Sequence, residues 1–271
     1  PLIQKHRITS FFAPPTVWIS LLRSPLFETT DLSSLRKGYY GASIMPVEVL
    51  RELAARLPQV RLWNLYGQTE IAPLATMLGP DDQLRKPGSC GRAVLNVQTR
   101  VVDDAMRDVP PGEVGEIVHR SPHVMQGYFH DDQRTAAAFE GGWFHSGDLA
   151  VIDDEGYITV VDRKKDMIKT GGENVASREV EEMIYRIAQV SEVAVVGLPD
   201  ARWGEVPVLV LVPQAGAVVD LDGLQAQFVQ RLARFKHPRQ ILLRNEVPRT
   251  ALGKVQKAAL VRQLLQNAGA G

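Results

Sequence analysis

Five consecutive charged residues, Asp162-Arg163-Lys164-Lys165-Asp166, do most to limit how this chain folds. A solvated linker is the ordinary reading of so dense a block of charge, and a domain boundary is expected inside it. The patterning changes on either side. Residues 1–75 alternate helix-like and strand-like stretches. Within 46–57, a proline stands near the start and Leu50, Leu53, Ala54 and Leu57 recur at i, i+3, i+4 and i+7, which predicts a helix. A short strand at 60–64 and a polar loop follow. Such alternation predicts an α/β layer with a largely parallel sheet. In residues 80–160, Gly and Pro separate short extended runs at 98–102, 115–120, 149–153 and 157–161. That spacing predicts a small β-barrel or curved sheet, with a hairpin turn at Asp153-Asp154-Glu155-Gly156.

Beyond the charge run, Ser177 is a candidate helix N-cap, with Glu179, Glu181 and Glu182 well placed against the helix dipole. Val180, Met183, Ile184 and Ile187 form the apolar stripe. Strands at 193–198 and 206–212, a helix at 221–232, a strand at 240–243 and a helix at 256–265 complete a compact α+β module. At 271 residues the chain is too long for one small core. The expected division is 1–163, comprising an α/β layer (1–78) and a β-rich part (79–163), followed by a mobile α+β domain (164–271).

Composition removes several classes of function. The 31 Lys and Arg balance the 31 Asp and Glu, so no nucleic acid or anionic membrane is implied as an electrostatic partner. The balance is uneven along the chain: residues 221–271 carry a net charge of +7. That segment reads either as a solvated basic face or as a lobe that meets a polyphosphate ligand. The single cysteine, Cys90, excludes an intramolecular disulfide and suits a cytoplasmic setting; it reads as a small buried residue. The longest apolar run, at 206–212, is interrupted by Pro207, whereas a membrane helix needs about 20 residues. The chain begins at Pro1, without Met or a signal-peptide core, and reads as a piece of something longer.

Four clusters carry possible chemistry. Tyr66-Gly67-Gln68-Thr69-Glu70 follows a strand, where open α/β sheets bind ligands. Tyr66 can stack on a base, Thr69 can donate to a phosphate and Glu70 offers a hard oxygen to Mg2+. In Gly141-Gly142-Trp143-Phe144-His145-Ser146-Gly147-Asp148-Leu149, the Asp148 carboxylate can accept both hydroxyls of a ribose. The stretch from Asp162 through Lys169-Thr170-Gly171-Gly172-Glu173-Asn174 joins cations to paired glycines, which suits phosphate contacts. Pro248-Arg249-Thr250-Ala251-Leu252-Gly253-Lys254 places a mobile charge on a glycine-bearing loop. Taken singly, each is more often an ordinary polar turn, a solvated linker or a surface lysine.

Their order and spacing together change that reading. With Tyr39-Tyr40-Gly41-Ala42-Ser43, Gly112-Glu113-Val114-Gly115-Glu116-Ile117 and Gly127-Tyr128 added, the chain resembles the C-terminal half of the acyl-adenylate-forming superfamily. That superfamily includes acyl-CoA synthetases, aryl-CoA ligases, peptide-synthetase adenylation domains and beetle luciferases. Gly171-Gly172-Glu173-Asn174-Val175 makes it most similar to the fatty-acyl-CoA synthetases.

The resemblance implies a ligase that adenylates a fatty acid with ATP and Mg2+ and passes the acyl group to coenzyme A. An aryl- or other carboxylate-CoA ligase shares every motif, and a non-catalytic nucleotide-binding fragment is the remaining alternative. On this resemblance, Gly41, Ala42 and Ser43 line the adenine and the acyl pocket, and Tyr66-Gly67-Gln68 packs against AMP. Thr69 holds phosphate and Glu70 the metal. Asp148 and Arg163 hold the ribose, and Lys165 is the hinge. Lys254 bridges carboxylate and α-phosphate, while Lys169, Gly171, Gly172 and Glu173 face the thiol tunnel. Tyr40 departs from the commoner small residue beside Gly41, which bears on the shape of the acyl pocket. The family's glycine-rich phosphate loop and most of its large N-terminal domain are missing from the sequence. The chain alone is therefore expected to bind nucleotide weakly, not to turn over, and to expose a face that favours self-association as a possible homo-oligomer.

Overall fold

The computed structural model describes residues 1–43, 45–184, 189–250 and 255–268. They fall into two compact units, Pro1–Val160 and Val161–Gly271.

In the first unit, α1 (Leu2–His6), β1 (Ser10–Phe12), α2 (Pro15–Arg23), β2 (Lys37–Gly41), α3 (Val47–Arg56) and β3 (Arg61–Gly67) alternate. The first three strands pair in parallel. The sheet then changes sense, because β4 (Leu74–Leu78) and β5 (Arg92–Ala93) add to it antiparallel. Only its first half has the expected parallel form. Trp18, Leu22, Leu50 and Leu53 from the helices pack with Tyr40 and Leu62 of the sheet. Gly38 permits this approach: a Cβ there would stand 2.6 Å from the Leu62 side chain and 2.9 Å from the Trp18 ring. The buried indole N–H donates to the Tyr39 carbonyl at 3.1 Å. Leu53→Ala in such a core costs roughly 2–5 kcal/mol.

Strand alternation decides where the two tyrosines go. Tyr40 points into this core, its hydroxyl donating to Gln83 Oε1 at 2.6 Å. Tyr39 lies on the opposite face, where its ring stacks on Trp63 at 5.2 Å. Tyr40 is thus a core residue of this unit.

A second sheet follows: β6 (Gln98–Val102), β7 (Gly115–Arg120), β8 (Phe144–Ile152) and β9 (Ile158–Arg163), in that spatial order, with α4 (Asp132–Ala138) between β7 and β8. Its first and last strands do not pair with each other, so the expected barrel does not close. Four short strands are too few to wrap around a core of side chains. The hairpin turn is present, with the Gly156 N–H donating to the Asp153 carbonyl at 2.9 Å. β8 begins five residues before the expected strand, because Gly147, at φ 70°, carries the chain through a segment that reads as a loop. The unit boundary falls inside β9.

The second unit contains β10 (Ile168–Thr170), β11 (Glu173–Val175), α5 (Ser177–Ile184), β12 (Val190–Asp200), β13 (Gly204–Pro213), α6 (Leu221–Arg231), β14 (Gln240–Leu243) and α7 (Lys257–Ala268). The sheet order is β11-β10-β13-β12, with β14 parallel to β13. Both faces are covered, which explains why β12 and β13 are apolar without alternation. Val193, Val195, Leu209 and Leu211 join α5 and α6 in one core; Ala194, Val196, Val208 and Val210 join Leu260 and Leu264 of α7 in the other. Ile187 of the expected stripe lies outside the described residues. After β9 the charge run makes a single 3-10 turn, Lys164–Asp166, with Lys164 and Lys165 exposed.

Candidate active site

The carboxyl ends of β2 and β3 lie side by side, with Gly41 in register with Leu65. The loops that leave them occupy the position where open α/β sheets accept ligands. Gly41 must be glycine, since a Cβ would stand 2.4 Å from the Leu65 carbonyl oxygen. Ala42 follows in the left-handed region at φ 67°, a conformation costing roughly 1 kcal/mol for a residue with a Cβ. Strain held at an exposed loop points towards function rather than packing. Ser43 is exposed beside it.

On β3, Tyr66 and Gly67 belong to the strand and not to the loop expected there. At Gly67 a Cβ would stand 1.8 Å from the Pro73 carbonyl oxygen, so only glycine lets β3 and the chain after it close together. Tyr66 Oη donates to Asp148 Oδ2 at 2.8 Å, and Gln68 Nε2 donates to the same oxygen at 3.1 Å and to the Ser146 carbonyl at 2.8 Å. Residues some 80 positions apart thus share one carboxylate. The Asp148 side of this lattice is equally organised. Ser146 Oγ donates to the Ile117 carbonyl at 2.6 Å and accepts from the Asp148 N–H at 3.0 Å. Glu116 accepts from the Gly147 N–H and faces His145 Nδ1, both at 3.1 Å. A Cβ at Gly147 would meet nothing within 4 Å.

Asp148 is only 4% exposed. Burial, followed by the Asp148 charge, pushes the Tyr66 phenol well above its ordinary value. Tyr66 is therefore a permanent donor. The sequence suggests a base-stacking ring; the structure adds the anchoring of Asp148, which no local pattern reveals. Two neutral donors fix the carboxylate and leave its charge uncancelled by them, which suits an acceptor for a diol.

Thr69 and Glu70 open the 3-10 turn Thr69–Ile71 after β3. Thr69 is exposed and Glu70 half-buried. Tyr128 Oη donates to Glu70 Oε1 at 3.0 Å. Among the described residues no group of three or more His, Cys, Asp or Glu forms a metal cluster. One carboxylate with a neighbouring hydroxyl is nevertheless a donor set that fits Mg2+, which commonly takes one or two protein carboxylates and completes its shell with phosphates and water.

The other expected residues belong to the second unit. Arg163 ends β9, and Lys165 sits in the exposed 3-10 turn. Lys169 and Glu173 lie on β10 and β11, joined through Gly171 (φ 58°) and Gly172 (φ 87°). These positive angles make the tight turn that paired glycines favour. Gly171 is also packed: a Cβ would stand 2.6 Å from the Trp203 ring. Lys254 lies outside the described residues. On either side of its segment, Arg249 and Val255 form an antiparallel bridge, and Gln256 Nε2 donates to the Arg249 carbonyl at 2.8 Å.

One cluster in this unit escaped sequence reasoning. Ser177 does not act as a conventional cap; its hydroxyl donates to Asp162 Oδ2 at 2.8 Å and accepts from Lys257 Nζ at 2.6 Å. The Arg178 N–H also donates to Asp162 Oδ2, at 3.3 Å, so a β9 carboxylate serves the start of α5. Lys257 pairs with Glu181 at 2.7 Å, and Glu181 Oε1 accepts from the Val195 N–H at 2.8 Å. Only the charge run hinted at it, by placing Asp162 beside a boundary.

A fold of this kind, with a strained loop at the carboxyl ends of parallel strands and a carboxylate of the next sheet tied to the end of β3, is that of an adenylate-forming enzyme. The model for AMP-binding enzymes matches residues 1–129, and the model for the AMP-binding enzyme C-terminal domain matches residues 179–254. The chain belongs to the family of AMP-binding enzymes. It is 43% identical over 263 residues to an indoleacetate–CoA ligase of Aromatoleum aromaticum, covering 97% of this chain and 51% of that protein. It is 37% identical over 276 residues to a medium/long-chain-fatty-acid–CoA ligase of Mycobacterium tuberculosis, covering 99% and 48%. Among solved structures, the o-succinylbenzoate CoA synthetase of Bacillus subtilis with its acyl-adenylate intermediate superposes with a TM-score of 0.87 at 31% identity, covering 96% of this chain and 52% of that one. The same enzyme with ATP and a magnesium ion superposes at 0.85 and 30% identity, covering 95% and 52%. The chain spans about half the length of the relatives it matches.

Proposed function

We propose that this chain carries the ribose, magnesium and thiol-side elements of a carboxylate–CoA ligase that activates its acid as an acyl adenylate. The observation that carries this reading is the convergence of Tyr66 and Gln68, at the end of β3, on Asp148 of β8, where β2 ends in parallel register with Gly41 opposite Leu65. Asp148 accepts the ribose hydroxyls; Thr69 donates to a phosphate; Tyr66, Gly67 and Gln68 form the floor beneath the nucleotide. Magnesium, when bound at Glu70, neutralises phosphate charge. A substrate carboxylate attacks the α-phosphorus and pyrophosphate leaves. Lys254 supplies a positive charge where negative charge develops. The mixed anhydride is already activated, so transfer to the CoA thiol needs no protein nucleophile. Lys165 is the hinge, and Lys169, Gly171, Gly172 and Glu173 face the thiol. In this reading the protein works in the cytoplasm.

Two acyl classes stay in play. Gly171-Gly172-Glu173-Asn174-Val175 supports a fatty acid. The Tyr39–Trp63 stack on the outer sheet face, and the identity to a ligase of indoleacetate, support an aryl acid. Calorimetric titration of the chain with AMP tests the nucleotide site: wild type is expected to bind and Asp148→Asn to bind much more weakly. In a chain extended to the relatives' length, Lys254→Ala should cut carboxylate-dependent pyrophosphate exchange by about 100-fold or more. Thioester formation from supplied acyl-AMP should stay near normal. Equal loss in both half-reactions would overturn the role given to Lys254. Parallel assays with a fatty acid and an arylacetic acid decide the substrate class.

A further inference from the structure

Gly127-Tyr128 belongs to the family pattern, yet nothing in the nucleotide chemistry above requires it. The structure gives it a place. Tyr128 Oη donates to Glu70 Oε1 at 3.0 Å across 58 residues of sequence, and the Met125 N–H donates to the Glu70 carbonyl at 2.7 Å. Both the side chain and the backbone of Glu70 are tied to one segment.

That segment is itself fixed. The Tyr128 N–H donates to Thr135 Oγ1 at 2.8 Å, and the Thr135 hydroxyl donates to the Asp131 carbonyl at 2.8 Å in the first turn of α4. The Arg134 guanidinium lies 3.9 Å over the Tyr128 ring. Gly127 is needed for the approach, because a Cβ there would stand 2.8 Å from Thr135 Cγ2. Asp131 caps α4 by accepting from the Arg134 N–H at 3.0 Å. The tyrosine is held from its backbone, its ring face and its hydroxyl at once.

We infer that Tyr128 is a positioning residue that presets the Glu70 carboxylate for the magnesium of Mg-ATP, with α4 as its support. The inference rests on the reading of Glu70 as a metal ligand. A half-exposed glutamate samples several rotamers, and binding a cation must select one. A hydrogen bond to one carboxylate oxygen makes that selection in advance. A phenol serves better than a lysine or arginine, because a neutral donor orients the carboxylate without cancelling the charge the cation needs. Partners that hold metal-ligating carboxylates in this way commonly contribute 10- to 100-fold in metal affinity.

The test uses Mn2+ as the probe, with ATP and AMP and the 271-residue chain. Calorimetry gives AMP binding without metal, and the electron paramagnetic resonance signal of free Mn2+ gives the metal required for ATP binding. In Tyr128→Phe, metal-free AMP binding is expected to match wild type, while the Mn2+ required rises about tenfold. Glu70→Gln should cost at least as much, and the double variant no more than Glu70→Gln alone, because Tyr128 acts only through Glu70. Additive losses, an unchanged Mn2+ requirement, or equal weakening of AMP and Mn-ATP binding would each overturn the inference. Should Tyr128→Phe not fold, Thr135→Val, which removes the acceptor for the Tyr128 N–H, makes the same test with the hydroxyl intact. Absence of AMP binding by wild type would refute the nucleotide site itself and this inference with it. Normal AMP binding with a Mn2+ requirement indifferent to Glu70→Gln would refute the metal role of Glu70 and this inference with it, leaving the nucleotide site standing.

Discussion

Two buried polar networks, one in each unit, use the same parts to different ends. In the first, Asp148 is held by the phenol of Tyr66 and the amide of Gln68. In the second, Glu181 is held by the ammonium of Lys257, which also reaches Ser177 and through it Asp162. Both bring together side chains about 80 residues apart. The difference lies in the donors. The phenol and amide donors orient their carboxylate without themselves neutralising it; a lysine neutralises its partner inside the fold. The first arrangement is suited to binding, and the second fastens β9, α5 and α7 into one unit.

The largest test of that contrast is to remove the cation. Lys257→Met leaves the buried Glu181 carboxylate unpaired, and breaking such a pair commonly costs about 3–5 kcal/mol. Unfolding of the second unit, followed by Trp203 fluorescence in a variant with the other tryptophans replaced, should shift by that amount. A shift below about 1 kcal/mol would show that the pair does not fasten the unit.

Next comes a difference in sign with pH. His119 is fully buried in the first unit; its Nδ1 lies 3.0 Å from Thr99 Oγ1, and its Nε2 has no partner among the described residues. Burial lowers its pKa from 6.5 to about 4. A group lowered on folding contributes stability that is present above its unfolded pKa and lost as the pH falls through the folded one. That loss, between pH 6.5 and about 4, amounts to roughly 3 kcal/mol. Glu181 behaves in the opposite way. Burial raises its pKa from 4.5 despite Lys257, so its contribution is fully present below the unfolded value and lost as the pH rises through the folded one. Hydrogen exchange at pH 7 and 4.5 should show the first unit loosening in acid while Glu181 works against loosening in the second. His119→Phe, which can stack on Phe144 as the imidazole does at 6.5 Å, should flatten the first response.

A smaller effect is expected at Asp148, the proposed acceptor of the ribose. Asp148→Asn keeps an acceptor for Tyr66 but removes the charge, and hydrogen bonds to charged groups contribute about 1.5–3 kcal/mol. AMP affinity, measured by calorimetry, should fall accordingly with little change in melting temperature. A drop in melting temperature as large as that for Lys257→Met would erase the distinction between the two networks. The smallest effect is predicted for Tyr66→Phe, about 1.5 kcal/mol of stability since Gln68 still donates to the same oxygen, with a weaker loss of AMP binding than Asp148→Asn. Denaturant titration alongside the same calorimetry checks both.

Much of this was legible in the residues. The helix around Leu50 and Leu53, the strands at 98–102 and 115–120, and the hairpin at Asp153–Gly156 all express local rules: an apolar stripe at 3.6 residues, extended runs between turn formers, and Asp and Gly at a reversal. Expectations failed where a local rule met a partner it could not see. Tyr66 and Gly67 read as loop because they precede polar residues, yet pairing with β4 keeps them extended. Ser177 has the chemistry of a cap, but Asp162 and Lys257 arrive from distant positions and take its hydroxyl. Of the small barrel or curved sheet expected at 80–160, the sheet stays open, since closure depends on strand number and stagger, which a list of extended runs does not contain.

The sequence alone determined the family, because adenylate chemistry requires particular residue types in a particular order and those stand in plain view from Gly41 to Lys254. It determined the succession of helices and strands as well, since periodicity is a property of neighbours along the chain. Tertiary structure decided which oxygen each donor reaches. Asp148 became an oriented charge, Glu70 acquired Tyr128, and Tyr40 turned into the core while Tyr39 turned out. Those outcomes depend on strand register and on contacts made across 58 or 82 residues. The energy of a hydrogen bond depends on distance and angle in space, and the spacing of two residues along the chain fixes neither.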